Sequence, residues 1–143
     1  MKIADIIRVK GSEVVTITPG ATVAELIGLL SRRNIGAVVV TTDGRTPDGI
    51  VSERDVVRHL AADGTDVLSM TVADIMSAPV ITCVEQDGID VTAHTMTYSR
   101  LRHLPVVRED GTLAAIVSLG DVVKYRIDQL TDERNHLLEY LHH

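Results

Sequence analysis

Two short stretches of the chain carry the same polar signature. "GIVSERDVV" (Gly49 to Val57) sets Ser52 three residues before Asp55, and "AIVSLGDVV" (Ala115 to Val123) sets Ser118 three residues before Asp121. In both, a β-branched run ends at the serine and a helical pattern begins behind it. A strand that feeds a helix at such a point leaves unpaired N–H groups and the positive end of a helix dipole aimed at one spot, which suits phosphate. A carboxylate there is an acceptor, so it can hold both hydroxyls of a ribose. The β-branched residues alongside offer an apolar slot for a base. Thr16 and Thr82, on the first strand of each half, supply a further hydroxyl. The same spacing has a purely local use as well. A serine at the N-cap accepts from a backbone N–H, and an acidic residue three positions on reaches back, which is a capping box. The spacing alone is compatible with either use.

The elements that must position these residues are written twice. A shift of 66 carries Ile50 to Ile116, Ser52 to Ser118 and Asp55 to Asp121, and equally Val14 to Val80, Thr16 to Thr82 and Val40 to Val106. "ADII" (Ala4 to Ile7) and "ADIM" (Ala73 to Met76) match at a shift of 69, and the difference falls in "RVKGSEV". Two copies are too few for a solenoid and read as a duplicated unit closing on its twin. In the first copy, "EVVTI" predicts a strand stopped by Pro19 and Gly20. Thr22 and Glu25 predict a capping box ahead of a helix carrying Val23, Leu26, Ile27 and Leu30 at helical spacing. "AVVVT" is a continuous apolar strand, as expected when both faces are buried. "TDGRTPDG" is turn chemistry, "GIVS" the next strand, and "ERDVVRHLAADG" a helix ending near Gly64. The second copy runs through "VITC", a threonine-rich "DVTAHTM" helix, "HLPVV", "LAAIVS" and "GDVVKYRIDQL", and a short helix from Thr71 links the halves. The predicted divisions are residues 1–66, 67–127 and a helical extension over 128–143. Along the last segment from "GDVVKYRIDQL" through that extension, Val123, Ile127, Leu130, Leu137, Leu138 and Leu141 form a partial stripe, interrupted by Arg134. The stripe is read either as packing on its own module or as a contact with a second subunit.

Composition narrows the function classes. The 143 residues suffice for one real core, and 45% of them are hydrophobic, which argues against disorder. Three tyrosines are the only aromatics, so Val, Ile, Leu, Ala and Met must fill the interior. A formal net charge of −6 argues against a general nucleic-acid binder, whose phosphate contacts need a basic face. No apolar run approaches the ~20 residues of a membrane span. The start "MKIADIIRVKG" is too short and too charged for a signal peptide. The single Cys83 forms no intrachain disulfide and reads as a small hydrophobe in an apolar strand. A cytoplasmic protein is expected. His59, His94, His103, His136, His142 and His143 have no zinc-ligand spacing, so no metal is expected. No Ser-His-Asp order, paired acids or Gly-rich phosphate loop emerges, and the glycines of "PGATVAELIG" stand at the wrong offsets for a dinucleotide fingerprint. The chain is therefore not expected to be an enzyme or to carry a cofactor.

Taken in order, "VVTITPGATV", "NIGAVVV" and "DGIVSERDVV" in the first half, with "ADIMSAPVITC", "RLRHLPVV" and "AIVSLGDVV" in the second, resemble a tandem pair of cystathionine-β-synthase (CBS) domains, a Bateman module. The resemblance covers about Ile3 to Ile127. It implies an α/β (α+β) fold of two pseudo-two-fold-related βαββα repeats packed by their sheets, often dimerised into a disc. It implies adenine-nucleotide sites in the clefts between repeats, for AMP, ATP, NAD or a relative. Carried over by position, Ser52 and Asp55 match the hydroxyl and ribose-binding Asp of one site, and Ser118 and Asp121 those of the other. Thr16 and Thr82 match a strand position bordering the ligand, while Arg102, His103 and Pro105 fall where phosphate or base is often met. Arg54 and Lys124 are the phosphate partners expected from the helices. One departure is that Gly49, the family's usual glycine before "IVS", becomes Ala115 in the second copy, where a methyl would crowd a close-lying base. The expected role is a stand-alone regulatory module that senses the nucleotide and signals through its homodimer or an effector protein. The alternative is an interaction scaffold in which the Ser-x-x-Asp pairs are helix caps alone.

Overall fold

The structure is a computed structural model and describes residues 1–142; His143, named among the histidines above, lies outside the described residues. The chain divides into two compact units. One, the first-repeat unit, holds residues 13–81 with 110–113. The other, the second-repeat unit, holds residues 1–12, 82–109 and the chain from Ala114 onward.

In the first-repeat unit, strand β1 (Thr16–Ile17) lies parallel to β2 (Ala37–Val40), which pairs antiparallel with β3 (Gly49–Ser52). Thr22 caps helix α2 (Val23–Arg33) through the expected box: the Glu25 amide donates to Thr22 Oγ1 at 3.1 Å, and the Thr22 amide donates to Glu25 Oε2 at 3.1 Å. Every residue of β2 is buried, in keeping with its unbroken valine run. Val23, Leu26 and Leu30 of α2 pack against Val38, Val40 and Val51 of the sheet. Helix α3 (Glu53–Asp63) ends at Gly64, whose φ of +64° suits a residue without a Cβ. A 3₁₀ turn (Gly64–Ser69) and the short α4 (Val72–Ile75) bring Val67, Val72 and Ile75 back into the same core.

The second-repeat unit contains α1 (Ile3–Lys10), β4 (Cys83–Val84), α5 (Ile89–Ser99), β5 (His103–Val107), β6 (Leu113–Ser118) from Ala114 onward and α6 (Leu119–His142), with the sheet in the order β4-β5-β6. Its fully buried side chains include Ile3, Ile6, Ile89, Met96, Leu104, Val117 and Val122. The threonines of α5 are accommodated by back-bonding. Thr92, Thr95 and Thr97 donate to the carbonyls of Gly88, Val91 and Ala93, so none leaves its hydroxyl unpaired. Helix α6 runs without a break through Asp128 to His142.

The two "ADI" helices do equivalent jobs. The Val72 and Ala73 amides donate to the Ala21 and Pro19 carbonyls of the first repeat, at 2.8 and 3.0 Å. The Ile3 and Ala4 amides donate to the Asp87 and Glu85 carbonyls of the second, at 2.9 Å each. Adding 66 to 21 and 19 gives 87 and 85, and adding 69 to 3 and 4 gives 72 and 73. The helix that opens the chain therefore completes the later repeat.

Two strands are shorter than the sequence predicts. "EVVTI" contributes only Thr16 and Ile17, and "VITC" contributes only its Cys83, extended by Val84. For the second there is a clear cause. Thr16 pairs with Val39, and the shift of 66 puts Pro105 opposite Thr82. Proline has no N–H to donate to the ladder, so pairing starts one residue later, at Cys83 with Val106. Thr82 consequently lies exposed, just ahead of the strand rather than in it.

Candidate functional site

Each unit builds its Ser-x-x-Asp at the junction of a strand and a helix. Ser52 closes β3 with extended backbone (φ −125°, ψ 167°) and caps α3. The Asp55 carboxylate reaches back with one oxygen: Oδ2 accepts from the Ser52 amide at 2.8 Å and from Ser52 Oγ at 3.0 Å. The return bond, from the Asp55 amide to Ser52 Oγ, is long at 3.4 Å. In the second-repeat unit the Ser118 amide donates to Asp121 Oδ2 at 3.0 Å, and the Asp121 amide donates to Ser118 Oγ at 3.1 Å. Both pairs are therefore capping boxes. Among the described residues no donor reaches Oδ1 of either aspartate, and no buried side-chain oxygen is left without a partner, so these second oxygens face solvent. Each is open to an external hydroxyl.

The two carboxylates differ in one respect that the sequence reading missed. Lys10 Nζ lies 2.5 Å from Asp121 Oδ2 and also donates to the Ile116 carbonyl at 3.1 Å. Partial burial pushes the Asp121 carboxyl up, but the Lys10 ammonium and the Ser118 amide outweigh it and hold the group below the usual carboxylate range. The only signal for Lys10 in the sequence is the change of shift from 69 to 66, which marks extra residues in "RVKGSEV". Those residues lengthen α1 to Lys10, whereas α4 stops at Ile75.

The corresponding place in the first-repeat unit is covered by backbone. Ile50 and Ser77 exchange both of their main-chain bonds, at 2.9 and 3.1 Å. A Cβ added at Gly49 would lie 2.8 Å from the Ser77 carbonyl oxygen and 2.8 Å from Met76 Sδ. Gly49 is thus required by the close passage of residues 76–77. In the other unit the chain after "ADII" remains helical, and Ala115 is accommodated in the core at 1% exposure.

Four of the predicted residues meet in one concavity of about 680 Å³ in the second-repeat unit, namely Arg102, His103, Ser118 and Lys124. They converge because the Leu119 amide donates to the Arg102 carbonyl at 2.7 Å, which ties the residue before β5 to the start of α6. Lys124, also 5.7 Å from the Tyr125 ring centroid, lies one helical turn on. Val123 and Ile127 complete an apolar wall, and Asp128 adds one negative group. Two cationic side chains beside a helix N-terminus are suited to an anion. The same backbone bond exists in the first repeat, from Glu53 to Gly36 at 2.9 Å, but there it positions a residue without a side chain.

The remaining predicted residues are spread out. Thr16 is half-buried in β1, Pro105 is buried in β5, and Arg54 is exposed in the first turn of α3. Burial pushes the Cys83 thiol up to about 12, with the Asp87 charge adding to it. Among the described residues no group of three His, Cys, Asp or Glu is placed to hold a metal ion, and no helix is long and apolar enough to cross a membrane.

Comparison with known proteins finds one domain twice along the sequence, with α1 falling in the first match although it packs in the second-repeat unit. The family model of the CBS domain matches residues 3–62 and again 72–128. The CBS domain-containing protein CBSX3, mitochondrial, of Arabidopsis thaliana is 30% identical over 97% of this chain and 71% of its own length. The crystal structure of the CBS-domain containing protein ATU1752 from Agrobacterium tumefaciens superposes with a TM-score of 0.84 at 40% identity, covering 88% of this chain and 99% of that one. The CBS domain protein PAE2072 from Pyrobaculum aerophilum, solved complexed with AMP, superposes with a TM-score of 0.75 at 26% identity, covering 85% and 89%.

Proposed function

The chain belongs to the CBS-domain family, which it represents twice in tandem, and from that premise we propose that it is a regulatory module binding an adenine nucleotide through Asp55 and Asp121. One observation carries the reading. In both units the aspartate satisfies its cap with Oδ2 alone and leaves Oδ1 open to solvent, where a ribose hydroxyl can reach it. Arg102 and Lys124 would then take the phosphate in the second-repeat unit. The AMP held by the relative from Pyrobaculum aerophilum supports this ligand class, with ATP and NAD as further candidates. No catalytic step is assigned to the chain. The single buried Cys83 agrees with a reducing compartment such as the cytoplasm.

A second copy of the chain is the expected partner. Support comes from α6, where Ile127, Leu130, Leu137, Leu138 and Leu141 are all exposed, and from Val57 and Leu60 on α3. A ligand shifts such a dimer, or its hold on an effector protein, only by its differential affinity for two states.

The rival reading, an interaction scaffold with capped helices and no ligand, draws on the completeness of both boxes. Calorimetry and thermal unfolding with AMP, ATP and NAD separate the two. A ligand at 100 times its dissociation constant adds about 2.7 kcal/mol of stability. Asp55→Ala and Asp121→Ala each reduce binding, beyond the ~1 kcal/mol that loss of a cap costs without ligand. Nucleotide binding undiminished in the double variant defeats the assignment, and no binding by the wild type favours the scaffold.

A further inference from the structure

The two half-sites are alike in sequence but not in what surrounds the carboxylate. Lys10 Nζ bridges two acceptors at the start of α6, Asp121 Oδ2 and the Ile116 carbonyl. Its side chain is 36% exposed and that of Asp121 24%, so the pair lies at the rim of the unit and the ammonium can swing out into water. Among the described residues Asp55 has no such cation, its Oδ2 takes only the Ser52 amide and hydroxyl, and the carbonyl of Ile50, the counterpart of Ile116, accepts from the Ser77 amide.

A hydroxyl donor approaching Oδ2 of Asp121 meets an ammonium already seated there, whereas at Asp55 it competes with a serine hydroxyl that can rotate away. The cis-diol of a ribose presents two donors to one carboxylate, so it needs both oxygens. We propose that Lys10 is an internal competitor for the Asp121 carboxylate, which weakens nucleoside binding in the second-repeat unit and makes the Asp55 site the one filled first. The inference rests on the nucleotide-binding reading given above. It also concerns a residue that local spacing does not reveal, because Lys10 and Asp121 are 111 positions apart. Helix α1 is held independently of Lys10 by the buried Ile3 and Ile6 and by the backbone bonds to Glu85 and Asp87. Loss of the lysine therefore leaves the helix in place.

Adenosine is the suitable probe, since it carries the ribose diol and no phosphate charge. Its binding is measured by calorimetry on Asp55→Ala, which leaves the Asp121 site alone, and on Asp55→Ala combined with Lys10→Met. The expected result is about fivefold tighter binding in the combined variant, the factor a partly exposed ion pair can supply. Lys10→Arg, which keeps the charge, stays close to Asp55→Ala. Equal or weaker adenosine binding without Lys10 overturns the inference while leaving nucleotide binding intact. AMP weakening with adenosine unchanged also overturns it, since Lys10 would then be a phosphate ligand. If no variant and no wild-type protein binds adenosine, AMP, ATP or NAD, the proposed function falls and this inference with it. A readout free of ligand tests the contact itself. The Asp121 carboxyl, followed by NMR, titrates at higher pH in Lys10→Met than in wild type, and an unmoved titration overturns the pairing.

Discussion

The Ser77 carbonyl oxygen passes within 2.8 Å of where a methyl on Gly49 would stand. The contact involves backbone, and the two segments are bridged at Ile50 and Ser77, so neither can retreat without breaking main-chain bonds. Gly49→Ala is therefore expected to destabilise the protein by about 1–3 kcal/mol, as overpacking does. Ala115→Gly, at the equivalent position, is expected to cost roughly 0.5–1 kcal/mol, from backbone entropy. Urea unfolding of the two variants checks the order, and an equal or smaller cost for Gly49→Ala contradicts the steric account.

Arg102 and Lys124 share a concavity with the first turn of α6. If a nucleotide phosphate sits there, Arg102→Gln weakens AMP by about tenfold, the scale of a charge-assisted hydrogen bond, and leaves adenosine almost unchanged. Parallel titrations at low and moderate salt measure it. Equal losses for AMP and adenosine would mean that Arg102 acts on the fold rather than on phosphate.

The lowered pKa of Asp121 has a definite sign in acid. A carboxyl whose folded pKa lies below its unfolded value contributes stability that is present above the ordinary carboxylate range and is lost as pH falls through the folded pKa. Lys10→Met removes part of that depression, so loss of the contribution starts at higher pH and the acid-unfolding midpoint moves up. Circular dichroism between neutral pH and pH ~2 follows it. An unchanged or lower midpoint would show that the ion pair does not persist in solution.

Cys83 is 6% exposed and its thiol is pushed up to about 12, so at pH 8 almost none of it is thiolate. A disulfide-exchange reagent is expected to react with the native protein only at the rate at which β4 opens, and rapidly once denaturant is added. Fast reaction in the native state would show that this edge of the sheet is not closed as described.

Much of this protein is legible in its sequence because the signals are short-range. The Thr22–Glu25 and Ser52–Asp55 boxes join residues three apart, and the fully apolar β2 announces burial on both faces; all three form as read. The duplication at a shift of 66 sets out two copies of one layout. The start of β4 was not legible from its own residues, because it depends on the missing N–H of Pro105 on another strand. Nor was the reason for Gly49, which lies in a segment 27 positions further on. Local pattern supplied the caps, the periodicity and the candidate carboxylates. Tertiary packing decided which of those carboxylates meets a lysine, since that depends on burying Ile3 and Ile6 of α1 in the later repeat's unit, and no spacing within either segment encodes it.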